Sequence, residues 1–173
     1  MDQDLPGGAR LIVGVDESPA SRWALAWAIG VARLHHLPLV AVHVTRAPMH
    51  PFPEALPVQH TFRQTEDGRG GEVVTDAFDD VAGGVPEDLT VAVAARVGDP
   101  GYHLVELARE GDLLVLGRGR RRLLSRLLLP STSMYCARHA QTTVVIVRQP
   151  TPPDGPELSE DRGRRFWGRK HSQ

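Results

Sequence analysis

The stretch that decides the fold is Leu11–Val44, which reads LIVGVDESPASRWALAWAIGVARLHHLPLVAVHV. It opens with a short apolar, β-branched run, Leu11–Val15, of the kind found in strands that are buried on both faces. A second run of this type, Leu39–Val44, ends the stretch. A helical pattern lies between the two runs, so we expect a β-α-β unit with two buried strands.

The helix of this unit carries its own start signals. Ser18 can cap the helix, and Pro19 suits the first helical position because its missing amide would have no partner there. Apolar residues then recur at helical spacing and predict one apolar face on the helix, formed by Trp23, Trp27, Val31 and Leu34.

The rest of the chain continues the alternation. The pattern predicts further strands over residues 89–95, 113–116 and 143–147, and helices over residues 72–81 and 131–139. Another helix follows Gly98-Asp99-Pro100, with Asp99 as its cap and with Leu104, Leu107 and Ala108 on its buried face. The predicted fold class is α/β, a parallel sheet with helices on both faces. Residues 1–9 form an N-terminal extension, residues 10–148 one domain with a proline-rich loop at about 46–71, and residues 149–173 a disordered basic tail.

Composition narrows the classes of function. The chain has 173 residues with a formal net charge of −1, so we expect no specific nucleic-acid binding. Cys136 is the only cysteine, which excludes an internal disulfide and a cysteine-based zinc cluster. No apolar run reaches membrane-spanning length and the first residues have no apolar core of a signal peptide, so we expect a cytoplasmic protein without a membrane span.

Three segments together resemble a universal stress protein domain, over about residues 10–148: the opening stretch Leu11–Val44, then ARVGDPGYHLVELAREGDLLVLGRG, then RLLSRLLLPSTSMYCARHAQTTVVIVR. The resemblance implies an open five-stranded sheet of order 3-2-1-4-5, an adenine nucleotide alpha hydrolase-like fold. It also implies a homodimer formed through the last strand, Thr143–Val147. An apolar edge strand of this kind is suited to such pairing.

In this strand order the winding reverses between the first and fourth strands, and ligands of open α/β sheets bind beyond the carboxyl ends of strands at such a point. Asp16 leaves the first strand there, and Gly14 and Val15 line the same wall. By family resemblance Asp16 is expected to contact an adenine or a phosphate-bound metal, although it can also serve as a turn residue. Leu39 is a candidate to border the base, and a core role explains it equally well.

The fourth strand leads into LGRGRRRLLSRLLLPSTS, Leu116–Ser133. ATP-binding members of the family carry Gly-x-x-Gly, nine residues, then Gly-Ser or Gly-Thr, and the resemblance places Gly117 and Ser131 in register with this motif. Arg120 and Pro130 replace the other two glycines, and Gly119 stands one position early. Proline removes an amide donor, and arginine adds a Cβ and a long side chain where a phosphate would approach the backbone.

Arginine offers this loop another way to hold an anion. Five arginines stand in nine residues, Arg118, Arg120, Arg121, Arg122 and Arg126, and a guanidinium group can bind phosphate bidentately. A solvated basic loop without a ligand is the alternative. Ordinary binding of ATP with magnesium is disfavoured by Arg120 and Pro130. Ser131 and Ser133 can donate to a phosphate, but capping of the helix that follows is the simpler role for Ser131.

The remaining candidates favour structural roles. The eight histidines have no helical zinc spacing, so no metal site is predicted. Cys136 is expected to be a small buried residue. Residues 162–170, RGRRFWGRK, could touch an acidic partner or surface, and a flexible terminus is the simpler interpretation.

No catalytic constellation is visible in the sequence. The leading hypothesis is a non-enzymatic, homodimeric stress-response regulator that acts through protein contacts and has a degenerate nucleotide-binding loop. The alternative is an ATP-binding member of the family with slow hydrolysis, which would use Gly14, Asp16, Gly117, Gly119 and Ser131.

Overall fold

A computed structural model of the chain describes residues 8–46, 69–118 and 131–150. The predicted proline-rich loop, most of the arginine-rich segment and the basic tail fall outside these ranges. Five strands and four helices alternate in the described part: β1 (Leu11–Gly14), α1 (Pro19–His35), β2 (Leu39–Thr45), α2 (Arg69–Ala82), β3 (Val91–Val97), α3 (Pro100–Leu107), β4 (Leu113–Gly117), α4 (Thr132–His139) and β5 (Thr143–Val147).

The five strands form one parallel sheet in the order β3-β2-β1-β4-β5. The predicted fold class and strand order are therefore confirmed. β1 lies between β2 and β4, with Leu11 opposite both Leu39 and Leu113. The central strands β1 and β4 are apolar and almost fully buried because helices cover both faces of the sheet there.

Helices α1 and α2 cover one face of the sheet, and α3 and α4 cover the other. On the first face α1 packs over β1 and β4 while α2 packs over β2 and β3. The core is accordingly divided into two layers, one centred on Leu25, Ile29 and Phe78, the other on Leu104, Leu114 and Cys136. This division is the one that right-handed crossovers produce for this strand order.

Two elements, β3 and α2, begin more than one residue away from the predicted position. β3 runs from Val91 to Val97, two residues later than expected, because it is paired with β2 as far as Thr45 opposite Val97. α2 starts at Arg69, three residues earlier than expected. A Cβ on Gly70 would lie 2.8 Å from the Cβ of Ala95, so the glycine lets this first turn pack directly on the sheet.

The apolar face predicted for α1 is not its buried face. The residues that pack on the sheet are mostly alanines with two larger neighbours, Ala20, Ala24, Leu25, Ala28, Ile29 and Ala32. Trp23 and Trp27 are 43% and 38% exposed and Leu34 is 73% exposed, whereas Val31 is partly buried. Small residues occupy the buried positions because α1 packs close to the sheet, which leaves no room there for indole rings.

A buried ion pair joins the amino ends of β1 and β4. Arg10 and Asp112 have side chains that are 0% and 1% exposed, and Nη2 of Arg10 donates to Oδ2 of Asp112 at 2.6 Å. The backbone amides of Arg10 and Arg109 also donate to this carboxylate. The pair lies at the end of the sheet opposite to the predicted ligand site and therefore serves the fold.

Candidate functional site

The candidate site is the edge of the sheet where β1 and β4 end. The two strands are parallel neighbours, with Val13 opposite Val115, so Asp16 and Gly117 emerge at the same edge. α1 leaves this edge on one face of the sheet and α4 begins beside β5 on the other face. The winding reverses here, and this is where open α/β sheets bind ligands.

The turn between β1 and α1 uses the carboxylate of Asp16 as a structural acceptor. The amide of Ser18 donates to Oδ1 of Asp16 at 2.9 Å, and the hydroxyl of Ser18 donates to the same oxygen at 2.5 Å. Oγ of Ser18 in turn accepts from the amide of Ser21 and caps α1. Asp16 is exposed, and its Oδ2 accepts no hydrogen bond from the described residues, so the turn role is compatible with a site-lining role.

Gly117 at the end of β4 lies against the first turn of α1. A Cβ on Gly117 would lie 2.3 Å from the carbonyl oxygen of Ala20 and 2.8 Å from the amide nitrogen of Ser21. Side chains cannot occupy that space without moving backbone. Packing alone therefore explains a glycine at the position where the family motif has its first glycine.

Gly14 and Val15 lie at the carboxyl end of β1, between the two layers of the core. A Cβ on Gly14 would lie 2.8 Å from Cδ2 of Leu116, and Val15 is 3% exposed. Both side-chain positions point into the core. Any contribution of these residues to ligand binding would come from backbone groups.

His43 is a site neighbour that the sequence did not nominate. Its Nδ1 lies 2.9 Å from the carbonyl oxygen of Val15, and Gly70 in the first turn of α2 packs beside its ring. His43 thus ties β2 to the end of β1 next to Asp16. The signal was its place near the end of β2, but only the sheet register shows which carbonyl group it meets.

Ser131 caps α4, as the sequence predicts. Its Oγ accepts from the amide of Met134 at 3.1 Å. Oγ of Ser133 lies 3.3 Å from Oγ of Ser131, so the two hydroxyl groups form one small polar cluster. The cluster lies at the carboxyl edge of the sheet, where donation to an anion remains open to Ser133 and to the amides of the first turn.

Leu39 lies away from this site, so its candidacy for bordering the base is corrected and its alternative role in the core is the one that the structure supports. It is the first residue of β2, it lies opposite Leu11, and it is fully buried at the amino edge of the sheet. The length of β2, seven residues, separates it from the ligand edge.

Arg118 is exposed and donates its amide to the carbonyl oxygen of Val147. Gly119 and Arg120 lie outside the described residues.

The part of the chain that the structure describes contains no group of three or more His, Cys, Asp or Glu able to hold a metal ion. Cys136 is fully buried, and burial raises the pKa of its thiol to about 11. None of the helices in the described ranges is long and apolar enough to cross a bilayer.

Comparison with solved structures shows that the fold is shared with universal stress proteins. A universal stress protein from Lactobacillus plantarum is 24% identical with a TM-score of 0.60, over 81% of this chain and 97% of that one. A universal stress protein in complex with cAMP is 27% identical with a TM-score of 0.57, over 81% and 96% of the two chains.

Curated relatives of the same family occur in mycobacteria. A universal stress protein of Mycolicibacterium smegmatis is 30% identical over 79% of this chain and 47% of its own length, and one of Mycobacterium tuberculosis is 29% identical over 86% and 52%. The chain thus spans about half the length of these relatives. The model of the universal stress protein family matches residues 9–148. With the strand order and the switch point between β1 and β4 in place, this match shows that the chain belongs to the universal stress protein family.

Proposed function

We propose that the protein is a non-enzymatic stress-response regulator that works in the cytoplasm through contacts with other proteins. In this proposal its switch-point edge takes an anionic ligand through arginine side chains, and the glycine backbone cradle of ATP-binding relatives is lost. The arginine-rich segment that follows Gly117 supplies the positive charge.

The packing of Gly117 against Ala20 is the observation that carries the proposal. The close approach of these backbones is a reason for the glycine that requires no phosphate. Asp16 and Ser131 also have structural work, as a turn acceptor and a helix cap. The two motif positions that the structure describes, Gly117 and Ser131, and the switch-point residue Asp16 thus have roles that need no nucleotide. Among the described residues, none of the three is paired with a group that could act as its acid or base.

A nucleotide-binding function is the second candidate. The relative solved with cAMP has the same fold and is 27% identical over 81% of this chain. Within the described part of the chain Oδ2 of Asp16 accepts no hydrogen bond, and the first turn of α4 offers hydroxyl groups and amides. In this alternative Gly14, Gly117 and Gly119 contribute backbone groups, Ser131 and Ser133 contribute donors, and hydrolysis is slow or absent.

Calorimetry separates the two candidates. ATP, with and without magnesium, is titrated into the protein and into a variant with Arg120→Gly and Pro130→Gly, which restores the glycines of the motif. We expect no tight binding by the unaltered protein and measurable binding by the variant. A Kd of about 1 μM or lower for the unaltered protein, with measurable ATP turnover, would overturn the proposal.

Pyrophosphate is titrated in parallel at low and high salt, because binding by arginine side chains weakens steeply as the ionic strength rises.

We also propose that the protein is a homodimer formed through β5. Arg118 donates to the carbonyl oxygen of Val147, so Val147 turns its backbone groups towards β4. Because successive residues of a strand alternate, Val144 and Ile146 direct their N–H and C=O groups to the open edge. This edge is free of charged residues from Thr143 to Val147, which suits pairing with a second copy of itself.

A further inference from the structure

One flank of α1 is apolar and partly exposed at the surface of the described part of the chain. It consists of Trp23, Trp27 and Leu34, here called the tryptophan flank, and its members are 43%, 38% and 73% exposed. Two indole rings four residues apart lie on the same side of a helix. Adjacent exposed aromatic side chains of this size mark a surface that another molecule covers.

The direction of this flank follows from the charges on the other side of α1. Arg22 pairs with Asp80 of α2 at 2.6 Å, and Arg33 pairs with Asp88 just beyond α2 at 2.7 Å. These arginines therefore mark the side of α1 that faces α2. At 100° per residue the tryptophan flank lies about a third of a turn from these arginines, on the side of α1 that is turned away from α2. Since α2 covers β2 and β3, the flank faces β5.

The surface between the tryptophan flank and the sheet edge is apolar as well. Val145 and Val147 of β5 belong to the same layer of the core as α1 and are only partly buried. The residues along this side of α1 include Gly30 and Val31 and carry no charge. A neutral, apolar surface of this kind can face an identical copy of itself without electrostatic repulsion.

The two-fold symmetry of a β5 dimer determines where the second copy of α1 lies relative to the tryptophan flank. Two β5 strands that pair antiparallel in one continuous sheet are related by a two-fold axis perpendicular to the sheet, so both α1 helices lie on the same face. Each α1 lies over β1 and β4. Four strand spacings therefore separate the two helices, which is about 19 Å at about 4.8 Å per spacing.

This separation is too large for direct contact of the helices. Packed helices lie about 8–10 Å apart, so the two α1 helices leave a groove about 10 Å wide above the β5 seam. Val145 and Val147 form the floor of this groove. Only large side chains can fill it, and each copy directs Trp23 and Trp27 towards it.

We infer that the tryptophan flank is a dimer contact, in which Trp23 and Trp27 of two copies of this chain fill the groove above the β5 seam. The inference rests on the proposed β5 dimer and adds to it the side chains that cover the β5 seam on the α1 face of the sheet. It also accounts for large apolar residues on a helix whose buried face is built mostly from alanine.

Tryptophan fluorescence tests the inference directly. The chain has three tryptophans, and a Trp167→Phe variant reports from Trp23 and Trp27 alone. Emission wavelength and acrylamide quenching are followed over a dilution series, with mass measured by light scattering on the same samples. We expect the indoles to become red-shifted and more quenchable as the dimer dissociates, with one midpoint for both signals.

Substitution gives a second readout. Trp23→Ser with Trp27→Ser is expected to weaken the dimer at least tenfold. The matched control is Tyr102→Ser, which removes a 49% exposed aromatic side chain from α3, on the other face of the sheet, and should leave the dimer unchanged. Circular dichroism confirms that both variants are folded. The fluorescence series on the intact flank does not depend on these substitutions.

The outcomes separate this inference from the dimer proposal. A dimer whose indole signal stays constant on dilution would overturn the inference and leave the β5 dimer standing. A monomer at every concentration would overturn both. Indoles that are already shielded in a monomeric Ile146→Pro variant would show that a segment of the same chain covers the flank, which also overturns the inference.

Discussion

Gly117 and Ala20 lie in backbone contact, although they are 97 positions apart in the sequence. A Cβ on Gly117 would lie 2.3 Å from the carbonyl oxygen of Ala20, so the end of β4 and the first turn of α1 approach as closely as backbones can. This contact holds the two elements that border the switch point. It also means that a glycine in the family motif does not by itself indicate a phosphate site.

Gly117→Ala is therefore expected to destabilise the protein in the absence of any nucleotide. We expect a loss of about 1–3 kcal/mol in the free energy of unfolding, because the added methyl group forces backbone to move. Urea denaturation measures the loss. The control is Gly71→Ala in α2, where a Cβ meets no atom within 4 Å and stability should not fall. Equal stability of Gly117→Ala and the unaltered protein would contradict the packing role.

Asp112→Asn should be among the most destabilising single changes at the amino edge of the sheet. It leaves the guanidinium group of Arg10 buried beside a neutral amide, and breaking a buried pair costs about 3–5 kcal/mol. Denaturation in urea at neutral pH provides the value. Asp88→Asn removes the partner of Arg33 from an exposed pair and serves as the control, with a much smaller effect expected. Comparable losses in the two variants would contradict this assignment.

The same aspartate gives the stability of the protein a dependence on acid. Burial acts to raise the pKa of Asp112, but hydrogen bonds from the Arg10 side chain and from the amides of Arg109 and Arg10 outweigh it and hold the pKa below its ordinary 3.8. A lowered pKa stabilises the folded state above the ordinary value, and this stability is lost as the pH falls through the lower, folded value. We expect thermal stability to decline below about pH 4, and the part of this decline due to Asp112 to be absent in Asp112→Asn.

Cys136 is expected to react slowly with thiol reagents while the protein is folded. Burial raises the pKa of its thiol to about 11, so almost no thiolate exists at pH 8, and the side chain is 0% exposed. The thiolate is the reactive form. Labelling by a disulfide reagent at pH 8 should therefore be slow in buffer and fast in urea. Rapid labelling of the native protein would contradict the burial of Cys136 and the raised pKa of its thiol.

Ile146→Pro is expected to convert the proposed dimer into a folded monomer. The substitution removes an N–H group that points to the open edge of β5 and leaves the bonds to β4 intact. Val145→Pro is the matched comparison, since the N–H of Val145 faces β4 and its loss should unfold the strand. Light scattering and circular dichroism report mass and fold. A dimer that survives Ile146→Pro would place the interface elsewhere.

Short-range signals in the sequence predicted most of the fold. Ser18, Asp99 and Ser131 cap α1, α3 and α4 as expected, because a cap depends on hydrogen bonds to residues two or three positions away. The apolar runs marked all five strands, and β5 has the bounds that were predicted. The start of β3 was missed because pairing with β2 sets it.

The candidate site shows the limit of the same reasoning. Leu39 was a candidate for the ligand edge as well as for the core, and register places it at the opposite end of the sheet. Trp23 and Trp27 formed a periodic apolar face, yet the side of α1 that packs on the sheet is the alanine-rich one. Periodicity shows that a helix has an apolar face, but the distance between the helix and the sheet decides which face can pack on the sheet.

The sequence by itself determined the order of elements, their caps, the parallel sheet and the family, because these depend on local propensities and on the pattern of apolar residues. The tertiary structure alone decided that Gly117 meets Ala20, that Arg10 meets Asp112, and that the tryptophans of α1 remain at the surface. These facts depend on contacts between residues far apart in the chain. Their geometry arises only when all five strands and their helices are packed together.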